Sequence, residues 1–254
     1  MGKKMIDIHT HILPEIDDGA RSLKDAAELI RSELYQDVSE IVFTPHYYGR
    51  KRSLEQFFEM RAEAMEKLKP FIPEVIKTRL GAEVYLTGVN DPSNDALCSL
   101  AIEGTKCVLV EFPFSAQWRK SLFLRIVEFV ADTGYTPIVA HVERYEAVLK
   151  DPAILTELVD MGCLIQMNTQ AFLNRSTKRF AYALLKHGLV HCLGTDTHNS
   201  GERAPDYRKA EKAVCAAGFE KEWERLQENM QKILNKERVQ VAHTPIKKIF
   251  GLYF

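Results

Sequence analysis

The chain has 254 residues, 46% of them hydrophobic, which is enough to bury a large core within one domain. Its 34 Lys and Arg against 35 Asp and Glu leave a formal charge of −1, which excludes the basic surplus of a nucleic-acid binder. The opening Met1-Gly2-Lys3-Lys4-Met5 returns to charge too soon for a secretory leader or a membrane span, and Ile6 breaks the myristoylation pattern, so no membrane insertion is expected.

The first predicted strand runs from Met5 to His11, where Asp7, His9 and His11 alternate with Ile6, Ile8 and Thr10 and so share one face. Two imidazoles on one strand face can grip a divalent cation, and neither His nor Asp is cheap to bury without a partner. A polar turn, Glu15 to Gly19, follows. Ser22-Leu23-Lys24-Asp25 predicts a capped helix through Ala26, Ala27, Leu29, Ile30 and Leu34. A strand over Glu40 to Thr44 closes at Pro45-His46, and an amphipathic helix runs from Ser53 to Leu68, ended by Pro70 and Pro73. Val75 to Tyr85 predicts one strand, and the Gly/Asn/Pro/Ser/Asp stretch from Gly88 to Asp95 a mobile loop.

Lys106 to Phe112 is a near-continuous apolar run, expected for a strand buried on both faces, with a helix over Leu122 to Asp132 behind it. Strand Thr136 to His141 with helix Pro152 to Met161, and strand Cys163 to Asn168 with helix Lys178 to His187, repeat the unit before a last strand, Val190 to Asp196. Seven strands alternating with helices predict a parallel sheet, and their length and uniformity favour a closed barrel over an open sheet. More helix follows Glu220, including Gln227 to Leu234, and the tail from Val239 to Phe254 either packs on the domain or docks on a partner. Five widely spaced cysteines in mostly apolar runs are expected as free thiols of a reducing cytoplasm.

The unusual polar residues fall at strand ends. His9 and His11 end the first strand, His46 follows the second, Glu83 lies near the end of the third, Glu111 ends the fourth, His141 the fifth, and Asp196 with His198 the seventh. In a parallel barrel those carboxyl ends meet on one face. Imidazole and carboxylate without cysteine suit Zn²⁺, Mn²⁺ or Fe²⁺ rather than a thiolate structural site. Asp18 brings the set to nine candidate ligands, too many for one ion, so a multinuclear centre bridged by carboxylates such as Glu83 or Asp196 is expected. Asp7 and Asp17 are expected behind the ligating imidazoles or in the turn, whereas His187, His191 and His243 are expected to be structural. Arg144 and Arg203 follow two of these strand ends and suit a forked clamp on an oxyanion such as phosphate.

In order along the chain stand D-I-H-T-H (7–11), D-D-G (17–19), T-P-H (44–46), G-A-E (81–83), V-E-F (110–112), A-H-V-E-R (140–144) and T-D-T-H-N (195–199) with Arg203 after it. This set resembles the PHP (polymerase and histidinol phosphatase) superfamily, and within it the bacterial capsular-polysaccharide-type protein-tyrosine phosphatases. The resemblance implies an α/β fold, a distorted (β/α)7 TIM-like barrel (PHP fold) spanning 1–254 as a single domain with 239–254 as a C-terminal tail. It implies three divalent metal ions, manganese with iron or zinc as alternatives, held by His9, His11, Asp18, His46, Glu83, Glu111, His141, Asp196 and His198. Arg144 and Arg203 then bind phosphate, and His46, His198 or a metal-bound water supplies a proton to the leaving group. The implied substrate is phosphotyrosine on a cytoplasmic bacterial tyrosine autokinase that controls capsular and exopolysaccharide synthesis. A histidinol-phosphate or other small phosphomonoester phosphatase is the same-fold alternative, and an inactive metal-binding regulator of the kinase is the alternative of another class. Residues six positions after the cysteines are Gly104, Pro113, Thr169, His198 and Lys221, so the C-x5-R loop of thiol-based phosphatases is absent. The chain departs from the family in Tyr47-Tyr48-Gly49-Arg50-Lys51 and in a single Pro205 where two prolines are usual. Those loops are expected to shape substrate preference, with Tyr47 or Tyr48 as an aromatic wall.

Overall fold

The structure, a computed structural model, describes residues 5–87, 91–115, 118, 120–249 and 251–254. The first strand, β1 (Met5–Thr10), is buried along its whole length and pairs in parallel with β2 (Val38–Phe43). The chain then passes through Pro45 into a two-residue strand, β3 (His46–Tyr47). Opposite it the predicted strand over Val75 to Tyr85 is also split, into β4 (Lys77–Leu80) and β5 (Glu83–Tyr85), which corrects the expectation of one unbroken element. Pro45 has no N–H to give the ladder. Pairing therefore lapses beside it and resumes one step on, with Gly81 N donating to Phe43 O at 2.8 Å and Glu83 N to Pro45 O at 3.1 Å. Val75 stays outside the strand and exposed.

Parallel pairing continues through β6 (Cys107–Glu111), β7 (Thr136–Val139), β8 (Leu164–Asn168) and β9 (Cys192–Gly194). The resulting sheets have the orders β1-β2-β4 and β3-β5-β6-β7-β8-β9. Past β9 the chain returns to the first strand: Asp196 N donates to His9 O at 2.8 Å, His11 N donates to Thr197 O at 2.9 Å, and Thr10 faces Thr197 in a parallel bridge. The parallel sheet is thus curled, with Ile8, Ile41, Phe43, Val84, Leu109, Val139, Ile165 and Leu193 fully buried on it.

Helices cover the outside. In α1 (Leu23–Tyr35) the Ser22 hydroxyl accepts from Asp25 N at 3.1 Å, and α2 (Leu54–Leu68) opens with a reciprocal Ser53 and Gln56 capping box. The short α3 (Asn94–Ser99), capped by Ser93, takes the end of the stretch expected as a mobile loop; residues 88–90 of that stretch lie outside the described residues. Then follow α4 (Lys120–Thr133), α5 (Glu146–Lys150), α6 (Ala153–Asp160), α7 (Lys178–Lys186), α8 (Tyr207–Ala216) and α9 (Glu220–Leu234). The sequence expectation lacked α5, too short to show a period, and α8, whose buried Tyr207, Ala210 and Val214 span barely two turns. In the tail, Ile246 is fully buried and Thr244 N donates to His187 O, so this stem packs on the fold, while the hairpin of β10 (Lys248–Ile249) and β11 (Leu252–Tyr253) leaves Ile249 and Leu252 exposed. Among the described residues, no helix is long and apolar enough to cross a membrane.

Candidate metal centre

The curl brings the polar strand ends to one point. On β1, His9 Nε2 and His11 Nε2 lie 3.1 Å apart. Glu83, from β5, stands between four imidazoles. Its Oε2 is 3.3 Å from His9 Nε2, 3.2 Å from His11 Nε2 and 3.0 Å from His46 Nδ1, and its Oε1 is 2.7 Å from His141 Nε2. Glu111 approaches His141 at 3.4 Å and His46 at 3.8 Å. Asp196 Oδ1 faces His9, His11 and His198 at 3.4 to 3.5 Å, and Asp18 Oδ1 lies 3.5 Å from both His46 Nε2 and His198 Nε2. All nine residues singled out from the sequence therefore fall into overlapping groups: His11, Asp18, His46 and His198; His9, Glu83 and His141; His9, His11 and Asp196; His46, Glu83 and Glu111.

This donor set fits divalent cations. Glu83 Oε2, Asp196 Oδ1, His46 Nδ1 and His198 Nε2 are buried, and none makes a hydrogen bond, although each has donor atoms of its neighbours within 4 Å. Buried polar atoms are ordinarily paired, and converging lone pairs with no proton aligned between them suit a cation. The backbone is strained at two of these positions: His141 (φ 31°) and Asp196 (φ 53°) are left-handed without being glycine. Two close approaches require glycine, since a Cβ on Gly194 would lie 2.4 Å from His9 Cβ and one on Gly19 2.0 Å from His11 O.

Charge is unevenly shared within the cluster. Burial alone would lower the His11 pKa, but the Asp17 carboxylate, 2.7 Å from its Nδ1, and Glu83 hold it well above the ordinary value. Burial would raise Asp17, yet His11 brings it down to about 2. Glu83 is held well below the usual range against its burial by His9 and His46, whereas burial and the Glu83 charge push Glu111 up to about 9.

Asp17 thus stands behind His11 as expected, and it also accepts from His46 N at 2.9 Å. Asp7 does not stand behind an imidazole. Its carboxylate accepts from the backbone of His9 and Thr195 and from the Thr195 hydroxyl, because a residue two positions before His9 reaches main chain more easily than a ring. The support behind His9 comes from β8, which the sequence did not single out: Gln166 Oε1 lies 3.2 Å from His9 Nδ1 and accepts from His141 N at 2.7 Å. Gln166 Nε2 donates to Asn168 Oδ1, and Asn168 Nδ2 donates to Asp196 Oδ2, each at 3.0 Å. The available signal was two amides at alternate positions of an otherwise apolar strand end. His187 bonds Thr244, His191 accepts from Ile165 N, and His243 lies 3.3 Å from Asp160, all apart from the ligand groups.

Arg144 Nη1 and Arg203 Nη2 both donate to Asp196 Oδ2, at 3.0 and 2.6 Å. Both line a cavity of about 480 Å³ over the cluster, walled by Tyr48, Tyr85 and Phe114, and the Arg144 guanidinium stacks 4.5 Å above the Phe114 ring. Alternation on β3 decides between the two tyrosines: His46 and Tyr48 face the cavity, while Tyr47 turns inward against Phe57, which corrects Tyr47 as a wall.

Beneath Arg144, burial pushes Glu143 up to about 8 from 4.5. Below pH 4.5 this carboxyl keeps its proton folded and unfolded alike, but between pH 4.5 and 8 only the unfolded chain releases it. The group therefore destabilises the fold increasingly as pH rises through that window. Glu143→Gln is expected to be neutral at pH 4 and to stabilise the chelated protein by about 1–3 kcal/mol at pH 8. Denaturant melts at the two pH values check this; equal effects at both would refute it.

Residues 5–235 match the profile of a family described as capsular polysaccharide synthesis, CpsB/CapC. The tyrosine-protein phosphatase CpsB of Streptococcus agalactiae is 31% identical over 258 residues, covering 92% of this chain and 100% of its own. The tyrosine-protein phosphatase YwqE of Bacillus subtilis is 31% identical over 202 residues, covering 77% and 78%. Among solved structures, one of the metal-dependent tyrosine phosphatases YwqE from Bacillus subtilis and CpsB from Streptococcus pneumoniae matches with a TM-score of 0.83 at 25% identity, over 96% of this chain and 100% of that one. A phosphotriesterase homology protein from Escherichia coli, with a TM-score of 0.54 at 14% identity over 91% of this chain and 98% of that one, shares the fold alone.

Proposed function

The chain belongs to the CpsB/CapC family of capsular polysaccharide synthesis, and we infer from that premise and the site that it is a metal-dependent protein-tyrosine phosphatase. The observation that carries this is the convergence of nine imidazole and carboxylate donors beneath two arginines in one aromatic-walled cavity. Our assignment gives His9, His11, Asp18, His46, Glu83, Glu111, His141, Asp196 and His198 to three divalent ions, manganese first, with iron or zinc as alternatives. Such ions supply Lewis acidity and an acidified water when bound.

The protein's own groups do the rest. Asp196 Oδ2 draws the guanidiniums of Arg144 and Arg203 over the cluster, and their remaining N–H groups face the phosphoryl oxygens. Tyr48, Tyr85 and Phe114 offer faces and edges for a phenyl ring; when the P–O bond breaks the group that leaves is the phenolate, whose conjugate acid has a pKa of about 10, so it needs less protonation than an alkoxide. His198 Nδ1 donates to the Asp196 main-chain carbonyl at 2.8 Å, which leaves Nε2 without a proton and aimed toward Asp18 as a ligand atom; the leaving oxygen would therefore take a proton from His46, whose ring makes no such bond, rather than from His198.

The curl is assigned as a distorted (β/α)7 barrel, counting β2 with β3 and β4 with β5 as two kinked strands; the hydrogen bonds between Asp196, Thr197 and β1 support this. Residues 1–254 form one domain in this assignment, with 239–254 as a tail. The partner is a phosphotyrosine-bearing autokinase of capsule synthesis, and Cys98, Cys107, Cys163 and Cys192, free thiols in this fold, accord with a cytoplasmic setting. Comparison of kcat/KM on a phosphotyrosine peptide, a phosphoserine peptide and histidinol phosphate tests the substrate. Clear preference for the first is expected; preference for histidinol phosphate would favour the small-substrate alternative, and metal binding without turnover the inactive regulator.

A further inference from the structure

Beside the catalytic cavity, a second cavity of about 490 Å³ is lined by Ile16, Asp17, Asp18, His46, Tyr48, Lys51 and Arg52. Asp18, His46, Tyr48 and Lys51 border both spaces, and Lys51 Nζ lies 4.3 Å over the centroid of the Tyr48 ring. The loop that carries these cations is closed by Lys51 N and Arg52 N donating to Tyr48 O at 2.8 and 3.3 Å, so their placement follows that of Tyr48. Among the described residues neither Lys51 nor Arg52 joins an ion pair, and Arg52 Nη1 is buried without a hydrogen-bond partner. The acids that line the same cavity are already engaged, Asp17 with His11 and His46 N, and Asp18 with His46 and His198. A guanidinium nitrogen withdrawn from water without an acceptor is costly, and a carboxylate is its best-matched partner.

We propose that this second cavity reads acidic residues flanking the phosphotyrosine, through Lys51 and Arg52. The inference rests on the phosphatase reading above and deepens it. A peptide whose phosphotyrosine enters beneath Arg144 and Arg203 must pass its neighbouring residues over the rim, where Lys51 and Arg52 carry the charges that no acid of this lining pairs. An acidic side chain there complements the exposed Lys51 and the half-buried Arg52, whereas an apolar or basic one does not. Because the pair lies at the rim, its effect falls mainly on capture and on salt dependence.

The test uses the metal-loaded full chain with p-nitrophenyl phosphate, which has no flanking residues, and phosphotyrosine peptides with acidic, neutral or basic flanks. The acidic peptide is expected to exceed the neutral one by about tenfold in kcat/KM at low salt, the gap shrinking at 0.5 M NaCl. R52S, at a residue that borders the second cavity and not the catalytic one, should narrow that gap while leaving p-nitrophenyl phosphate turnover unchanged, and K51E/R52E, with peptide turnover taken relative to p-nitrophenyl phosphate, should invert it in favour of the basic peptide. Equal turnover of the three peptides by the parent, or an unchanged gap in R52S, overturns this proposal alone. Failure of the parent to hydrolyse p-nitrophenyl phosphate overturns instead the phosphatase reading on which it rests.

Discussion

Glu83→Ala is expected to strip divalent metal from the protein and to lower turnover by roughly a thousandfold or more. This carboxylate lies within 3.3 Å of His9, His11, His46 and His141, so two of the ligand groups lose their shared member at once. A rate loss of that size corresponds to about 4 kcal/mol of transition-state stabilisation, within the several kcal/mol that metal ions contribute in such sites. Glu111→Ala and His141→Ala should act in the same direction, while His187→Ala and His243→Ala, away from the cluster, should keep both metal and activity. Chelation should abolish turnover and iodoacetamide should not, since burial pushes the Cys107 and Cys163 thiols up to about 12. Metal analysis alongside turnover of each variant decides the matter: a Glu83→Ala protein that is active and fully metallated would sink the assignment.

The second large effect is expected from Arg203→Lys, although it conserves charge. Asp196 divides its two oxygens, Oδ1 toward His9, His11 and His198, and Oδ2 toward Asn168, Arg144 and Arg203. A lysine could keep the single contact to Oδ2, but a point ammonium cannot hold that oxygen and also present a parallel pair of N–H groups to phosphate. Loss of one charge-assisted contact should cost about 1.5–3 kcal/mol, or roughly ten- to a hundredfold in kcat/KM. Arg144→Lys should cost a similar factor, with the stacking on Phe114 also weakened. Steady-state kinetics on a phosphotyrosine peptide check both, and an Arg203→Lys enzyme as efficient as the parent would refute the clamp.

Most of the donor cluster was legible because its members are expensive polar groups at or just past the ends of apolar strands, and parallel alternation sends such ends to one face, whereas Asp18, in a turn, was legible only as part of the ordered motif set. Gln166 and Asn168 were not, since amides occur in many strands and only the bonds to His9, His141 and Asp196 distinguish these two. Asp7 was misplaced because sharing a face with His9 does not say whether a carboxylate meets a ring or the main chain. Tyr47 and Tyr48 could not be separated without β3, a two-residue strand too short to carry a period of its own.

By itself the sequence determined the alternation of strands and helices, the candidate donors, the arginines and the absence of a thiol phosphate loop, all of which depend on residue type and short-range spacing. Only the tertiary structure decided that Glu83 is central, that Asp196 meets the donor cluster and the two arginines with different oxygens, that Tyr48 borders two cavities, and that Arg52 Nη1 is buried without a hydrogen-bond partner. Those facts depend on distances between residues tens to nearly two hundred positions apart. Such distances are set by how far the sheet curls and where Pro45 interrupts it.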